Sequence, residues 1–318
     1  MTMYLNDDVI DFERYLQETD HKTRVKKAVI WSDELEDEVM HPRVDTSTVM
    51  PWSTTAGSFA FRPGEVTVWA GLNGSGKSML TGQVALSLIK QEQRVCIASF
   101  EMKPKVSLKR LIRQFSGIPI DATGPMPAPV SARIEAIRRF KQFSEKHLWF
   151  YDQQGTAKPE IIIAMCRFCA EELQMNHIFI DNLMKVVRGE DDYNAQKDFV
   201  DQITGVARDY NMHIHLVHHI RKLASDEARP SKSDLRGSSS ITDQVDNVLI
   251  LWRNKKKEHE IQRGDLSNAN AADAILMCEK QRNGEHEDWF DLWFNRTSYQ
   301  FLERDHGVPM AFDVKGDF

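Results

Sequence analysis

Gly71-Leu-Asn-Gly-Ser-Gly-Lys77-Ser78 reads G-x-x-x-x-G-K-S, the spacing of a phosphate-binding loop. It follows an apolar run, Glu65-Val-Thr-Val-Trp-Ala70, and precedes a helical pattern over Ser78–Lys90. That strand–loop–helix setting separates it from an ordinary Gly-rich turn. Glycines let the main chain wrap a triphosphate, so that successive N–H groups and the N-terminus of the next helix face the phosphate oxygens. The expected nucleotide contacts are Gly71, Asn73, Gly74, Ser75, Gly76, Lys77, Ser78 and Met79. Lys77 offers a positive charge to the β- and γ-phosphates of ATP or another nucleoside triphosphate, and Ser78 offers a hydroxyl to Mg²⁺.

The chain of 318 residues is long enough for one large α/β domain or two small ones. It is 41% hydrophobic and 28% charged, and no apolar run approaches the ~20 residues of a membrane span. No signal peptide is visible, and the expected location is cytoplasmic. Cys96, Cys166, Cys169 and Cys278 make no disulfide framework; Cys166-Arg-Phe-Cys169 is a lone CxxC in a helical pattern, without a second ligand pair for zinc. The net charge of −6 argues against blanket nucleic-acid binding but leaves room for a local basic surface.

Residues 1–51 read as an appendage, with amphipathic pieces near Val9–Leu16 and Val25–Leu35; it is either a loose tail or an arm that packs on a neighbouring subunit. From Trp52 to Lys255 strand and helix patterns alternate, which predicts a mostly parallel sheet covered on both faces. The expected strands are Glu65–Ala70, Val95–Phe100, Leu148–Tyr151, His177–Ile180, Ile214–Val217 and Val248–Leu251. Beyond Ala272 the reading turns antiparallel: Ala274–Glu279, Trp289–Phe294 and Tyr299–Leu302, the first two joined by a turn at Asn283-Gly284. Residues 52–318 form the expected second unit.

Open α/β sheets bind ligands at the carboxyl ends of their strands, so the residues there carry the chemistry. Asp181 ends an apolar strand, where a carboxylate holds the Mg²⁺ shell; the plain alternative is a helix cap. Glu101 follows Val95–Phe100 and would orient or deprotonate the attacking water, or simply start a helix before Pro104. His218 and His219 end a further strand, where one imidazole can sense a γ-phosphate; a structural histidine is the rival reading. The stretch 221–236 carries Arg221, Lys222, Arg229, Lys232 and Arg236 against Asp226, Glu227 and Asp234. It lacks apolar periodicity and aromatics, so it suits contact with a nucleic-acid backbone more than base stacking. Arg253-Asn-Lys-Lys-Lys257 reads as a basic hairpin end. Lys280 and Arg282 have no evident partner within one subunit; in a ring they would reach a neighbour's nucleotide.

The order of these pieces, over roughly Trp52 to Leu302, resembles the helicase domain of the DnaB-type hexameric replicative helicases. Asp234-Leu-Arg-Gly through Arg253 resembles that family's single-stranded DNA segment, Glu279-Lys-Gln-Arg-Asn-Gly284 its finger segment, and Ser99-Phe-Glu-Met102 its catalytic-glutamate motif. The histidine pair is closer to the phage primase–helicase and mitochondrial Twinkle branch, and the resemblance makes His219 the sensor. It implies a RecA-like P-loop core, six subunits around single-stranded DNA, 5′ to 3′ translocation, and Lys280 and Arg282 acting on the next subunit's γ-phosphate. About fifty N-terminal residues hold neither a primase nor a helical N-terminal domain, so the expectation is a phage-encoded, stand-alone helicase domain working with a primase, polymerase or loader. Two other readings stay open: a RecA-like recombination or strand-annealing filament, and a regulatory ATPase with protein partners.

Overall fold

The computed structural model describes residues 11, 14, 27–41, 46–121, 127–187, 192–237 and 240–313. A short antiparallel pair, β1 (Thr48–Val49) and β2 (Ala60–Phe61), escaped the sequence reading because each strand has only two residues. The parallel strands are β3 (Val66–Ala70), β4 (Val95–Ser99), β5 (Leu148–Tyr151), β6 (His177–Asp181), β7 (His213–Val217) and β8 (Asn247–Arg253). β9 (Ala274–Gln281), β10 (Trp289–Asn295) and β11 (Gln300–Leu302) extend the sheet antiparallel from β8. Across the sheet the order is β11-β10-β9-β8-β3-β7-β6-β4-β5.

In the N-terminal region, α1 spans Ala28–Met40 with no buried residue; Val29, Trp31, Leu35 and Val39 are exposed. Continuous apolar strands demand cover on both faces. α2 (Lys77–Lys90) covers one face through Leu80, Val84 and Leu88, and is backed by α3 (Pro104–Ser116) and α4 (Val130–Ser144). α5 (Pro159–Glu171), the one-turn α6 (Leu183–Val186) and α7 (Tyr193–Asp209) bury the other, through Ile162, Met165, Leu183, Phe199 and Ile203. The antiparallel extension curls onto α2, where Gln83 Nε2 donates to Phe301 O at 2.9 Å and Phe301 N donates to Gln83 Oε1 at 2.7 Å. The cysteines of the CxxC are free thiols buried on α5, as expected of packing residues.

Other sequence expectations change. A short helix, α8 (Ser240–Gln244), precedes β8, and the basic 253–257 stretch after β8 is not a hairpin end. Asn254 instead caps a helix, α9 (Lys255–Gln262), by accepting from Lys257 N. The turn at Asn283-Gly284 is a longer loop, because β10 pairs with the middle of β9 (Trp289 opposite Met277) and Asn283 Nδ2 is drawn to Glu65 Oε1 at 2.7 Å. The expected piece near Val9–Leu16 lies outside the described residues apart from Asp11 and Arg14.

Beneath the sheet's amino edge lies a histidine cluster. Trp69 Nε1 donates to His215 Nδ1 (3.1 Å), so His215 carries its proton on Nε2, which faces His177 Nδ1 at 3.2 Å. His177 Nε2 then faces Thr48 Oγ1 at 3.3 Å. His213 Nδ1 donates to Arg62 O at 2.7 Å, and its Nε2 accepts from Thr67 Oγ1 at 2.8 Å. Every ring nitrogen is used with the rings neutral, and Phe179 stacks on His215 with centroids 4.0 Å apart. Burial lowers all three pKa values, that of His213 to about 4. Above the ordinary histidine value of ~6.5 the folded and unfolded chains bind the same protons. Between that value and about 4 the unfolded chain binds more, so stability falls as pH drops, by up to about 1.4 kcal/mol per pH unit per ring. Urea unfolding midpoints should decline from pH 7 to pH 5; a flat profile there would show that the rings are not held neutral.

Candidate nucleotide site

The parallel register brings every candidate catalytic side chain of the core to one edge of the sheet. β3 runs into the loop at Gly71, where the chain passes so close to β8 that a Cβ would lie 2.7 Å from Leu251 O. Gly76, at φ +100°, turns the chain into α2 in a conformation that side chains rarely adopt, with the Phe301 ring against it. α2 starts with Lys77 and has neither a side-chain cap nor an acidic residue in its first turn. An uncapped, cationic helix N-terminus of this kind fits an anion.

Lys77 Nζ donates to Gly71 O (2.8 Å) and Leu72 O (3.0 Å). Burial lowers its pKa to about 8, against the raising effect of the Asp181 and Glu101 carboxylates. Ser78 Oγ donates to Asp181 Oδ2 at 2.8 Å, which joins the two expected metal-holding groups. Burial raises the Asp181 pKa, opposed by that hydrogen bond. No cluster of three or more His, Cys, Asp or Glu among the described residues can hold a metal alone. One hydroxyl and one carboxylate beside a phosphate cradle suit Mg²⁺, which takes few protein ligands and completes its shell with water and phosphate oxygens.

β4 and β6 pair with Ser99 opposite Asp181, so the residues that follow each strand emerge side by side. Asn182 Nδ2 donates to Glu101 Oε1 at 2.5 Å and faces His219 Nε2 at 2.8 Å, which that bond makes an acceptor. His219 then carries its proton on Nδ1, a buried atom without a protein partner, as is Asn182 Oδ1. Burial, reinforced by the Lys77 and Arg236 charges, lowers the His219 pKa to about 4. A cavity of about 370 Å³ opens onto Lys77, Ser78, Glu101, Arg110, Asp181 and His219. His218 points elsewhere, with Nε2 donating to Arg236 O at 2.6 Å. Asn182 and Arg110 gave no signal in the sequence: an amide after a strand-ending Asp reads as a turn, and Arg110 as one of several cations on a helix.

The 221–236 segment is closed at its base by an Ile220–Leu235 bridge and by Arg236 N donating to His219 O at 3.0 Å. Its cations do not form one patch. Arg221 Nη2 donates to Ser233 O, and Lys232 Nζ to Glu279 O. Arg229 lies between two indoles, 5.1 Å from the Trp252 ring and 5.4 Å from that of Trp289. The segment lacks aromatics of its own, but β8 and β10 supply them. Lys222 and Arg236 line a cavity of about 260 Å³ against Asn73, Gly74 and Arg253.

Lys280 and Arg282 stand apart from the nucleotide cleft, and, contrary to the sequence expectation, both have partners within the subunit, Lys280 in the Thr242 carbonyl and Arg282 in Asp246. β9 begins opposite Arg253 at the carboxyl edge and ends opposite Asn247 at the amino edge. Asn247 is level with Thr67, four residues before Gly71, so about 13 Å of strand separates the two sites.

The family model of the DnaB-like helicase C terminal domain matches residues 54–303. The chain is 25% identical over 266 residues to replicative DNA helicase DnaB of Helicobacter pylori strain J99, covering 70% of this chain and 53% of that protein. A probable plasmid replicative DNA helicase of Chlamydia psittaci is 24% identical over 209 residues, 63% of this chain and 45% of that one. The chain thus spans about half the length of these relatives. Among solved structures, one described as an ATPase domain superposes with TM-score 0.70 at 17% identity, covering 87% of this chain and 98% of that one. A DnaB-like replicative helicase, described with its interactions with primase, gives TM-score 0.68 at 15% identity, covering 87% of this chain and 67% of that one. The fold is therefore that of the RecA-like ATPase domains, a mostly parallel α/β sheet with an antiparallel extension.

If Asn182 holds Glu101 and His219 in register, Asn182→Ala should lower ATP turnover about a hundredfold while leaving nucleotide affinity within about twofold. Single-turnover hydrolysis beside fluorescent-nucleotide titration checks this; equal loss of binding and turnover would make Asn182 a purely structural residue.

Proposed function

Because the chain belongs to the family of the DnaB-like helicase C terminal domain, we propose that it is the motor of an ATP-dependent replicative DNA helicase. The observation that carries this reading is the division of labour between two edges of one sheet. Lys77, Ser78, Asp181, Glu101 and His219 converge at the carboxyl edge, while Lys280 and Arg282 lie at the amino edge. A subunit so built completes its site with a neighbour's cations, which suits a ring around single-stranded DNA, with six subunits expected.

In this reading Gly71, Asn73, Gly74, Ser75, Gly76 and Met79 cradle ATP with Lys77 and Ser78, while Ser78 and Asp181 hold Mg²⁺. The metal, when bound, neutralises phosphate charge and orients the γ-phosphoryl group. Glu101 takes a proton from the attacking water, and Asn182 fixes which carboxylate oxygen is free to do so. Burial makes His219 a neutral imidazole before phosphate arrives, and it lines the cavity that the γ-phosphate would enter. Loss of the phosphate releases His219, whose main chain is tied to Arg236 at the base of the cationic segment. Arg221, Lys222 and Lys232 contact the DNA backbone there, with Arg229 fixing the segment to the body through the two indoles and Arg236 through its main chain. Arg282 reaches the neighbour's γ-phosphate, while Lys280, whose ammonium donates to the carbonyls of Thr242, Asp243 and Val245, secures the turn beside it.

The family match begins at residue 54, and the exposed apolar side of α1 suits an arm that packs on the next subunit, but the expected boundary at residue 51 falls too late, since Thr48, Val49 and Met50 are already joined to the body. No helix among the described residues is long and apolar enough to cross a membrane, and the cytoplasm is the proposed location. A primase, loader or polymerase is the proposed class of protein partner.

ATP hydrolysis with and without a long single-stranded oligonucleotide tests this function. Strong stimulation, abolished by Lys77→Ala and reduced by Lys222→Ala, is expected. Unstimulated hydrolysis in an assembled sample would overturn the DNA-coupled motor. Arg282→Ala should reduce turnover by about 10³-fold with ATP affinity nearly intact; parallel loss of both would remove the finger role.

A further inference from the structure

Arg282 is not a loose side chain. Its Nη1 donates to Asp246 Oδ1 at 3.0 Å, and its Nη2 to the carbonyls of Asp243 (2.9 Å) and Gln244 (3.3 Å). Its main-chain N–H donates to Asp246 O at 2.9 Å, so position 282 is tied to position 246 through both backbone and side chain. Lys280 holds the same turn from its other side, donating to the carbonyls of Thr242, Asp243 and Val245 at 2.7–3.0 Å. These carbonyls belong to the C-terminal end of α8 and the turn after it, where cations are favoured.

Asp246 is the fixed point of this arrangement. It is 2% exposed, and a buried carboxylate needs partners. Oδ2 accepts from Val66 N at 3.0 Å, which pins the carboxylate to the first residue of β3, the strand that leads into the phosphate loop. Oδ1 is left for Arg282, with Arg208 3.6 Å away on its outer side. The Arg282 side chain as a whole stays 38% exposed.

We propose that Asp246 is the positioning residue for Arg282: it ties the guanidinium to the rigid start of β3, so that the partly exposed side chain is held in one place for the nucleotide of the adjoining subunit. This rests on the proposed action of Arg282 across the subunit boundary. Asp246 sits at the amino edge beside Val66, away from the phosphate loop, and on this proposal its effect on turnover passes through Arg282. The motor's trans-acting charge is therefore set by its own sheet and does not wait for the neighbour to order it.

The test is a double-mutant comparison of ATP turnover with Asp246→Asn, Arg282→Ala and the two combined, with nucleotide affinity and thermal midpoint measured on each. Asparagine keeps an oxygen for Val66 N but removes the charge; if it fails to fold, Asp246→Glu takes its place in the same comparison. The expected result is a fall in turnover of about a hundredfold for Asp246→Asn with affinity unchanged, and a double variant no slower than Arg282→Ala. A double variant much slower than Arg282→Ala, or a single Asp246 variant with full turnover, overturns the positioning role while the finger stands. Full turnover in Arg282→Ala instead overturns the finger reading itself.

Discussion

Parallel pairing is the constraint on which the rest depends. Strands that run the same way end at the same edge, so residues far apart in the chain emerge within hydrogen-bonding reach. Ser99 opposite Asp181 places Glu101 against Asn182, and β7 between β6 and β3 delivers His219 to the same cleft as Lys77. A one-residue slip of β6 would turn Asp181 into the opposite helical layer and separate it from Ser78. The buried apolar side chains of β3, β6, β7 and β8 fix that register, so core packing and site geometry are one requirement.

Burial also sets the charges. It disfavours the protonated forms of Lys77 and His219 and the ionised form of Asp181, in each case as the first cause of the shift. A nucleotide triphosphate would act in the other direction on Lys77, restoring the charge that burial discourages. The cleft is thus tuned to a polyanion: its lysine is most at ease when phosphate is near, and the same anion acts upward on the His219 pKa that burial lowers.

Much of this was legible in the sequence because its signals are local. The phosphate loop, the strand-ending Asp181 and the Glu101 that follows β4 are each defined by residues adjacent in the chain, and the parallel core follows from alternating patterns. What escaped is set by tertiary contact. Asn182 acquires its place only when β4 and β7 flank β6, and Arg229 finds its indoles only when β8 and β10 are brought beside the 221–236 segment. The Asn283-Gly284 pair has the composition of a tight turn, yet the β10 register and the pull of Glu65 open it into a longer loop. The helix over Lys255–Gln262 was hidden because its run of like charges has no apolar face to read, and its start depends on the Asn254 cap.

The separation of the phosphate loop from Lys280 and Arg282 has a consequence for heredity and dosage. A surface that offers cations on one side and accepts them on another is heterologous, and such contacts do not terminate in a pair; they close as a ring or run on as a helix. On the proposed reading, an isolated chain is inert and dilution alone silences it. A chain that lacks its arginine keeps an intact cleft of its own and disables the cleft next door, so a minority of defective copies would be dominant over the sound ones.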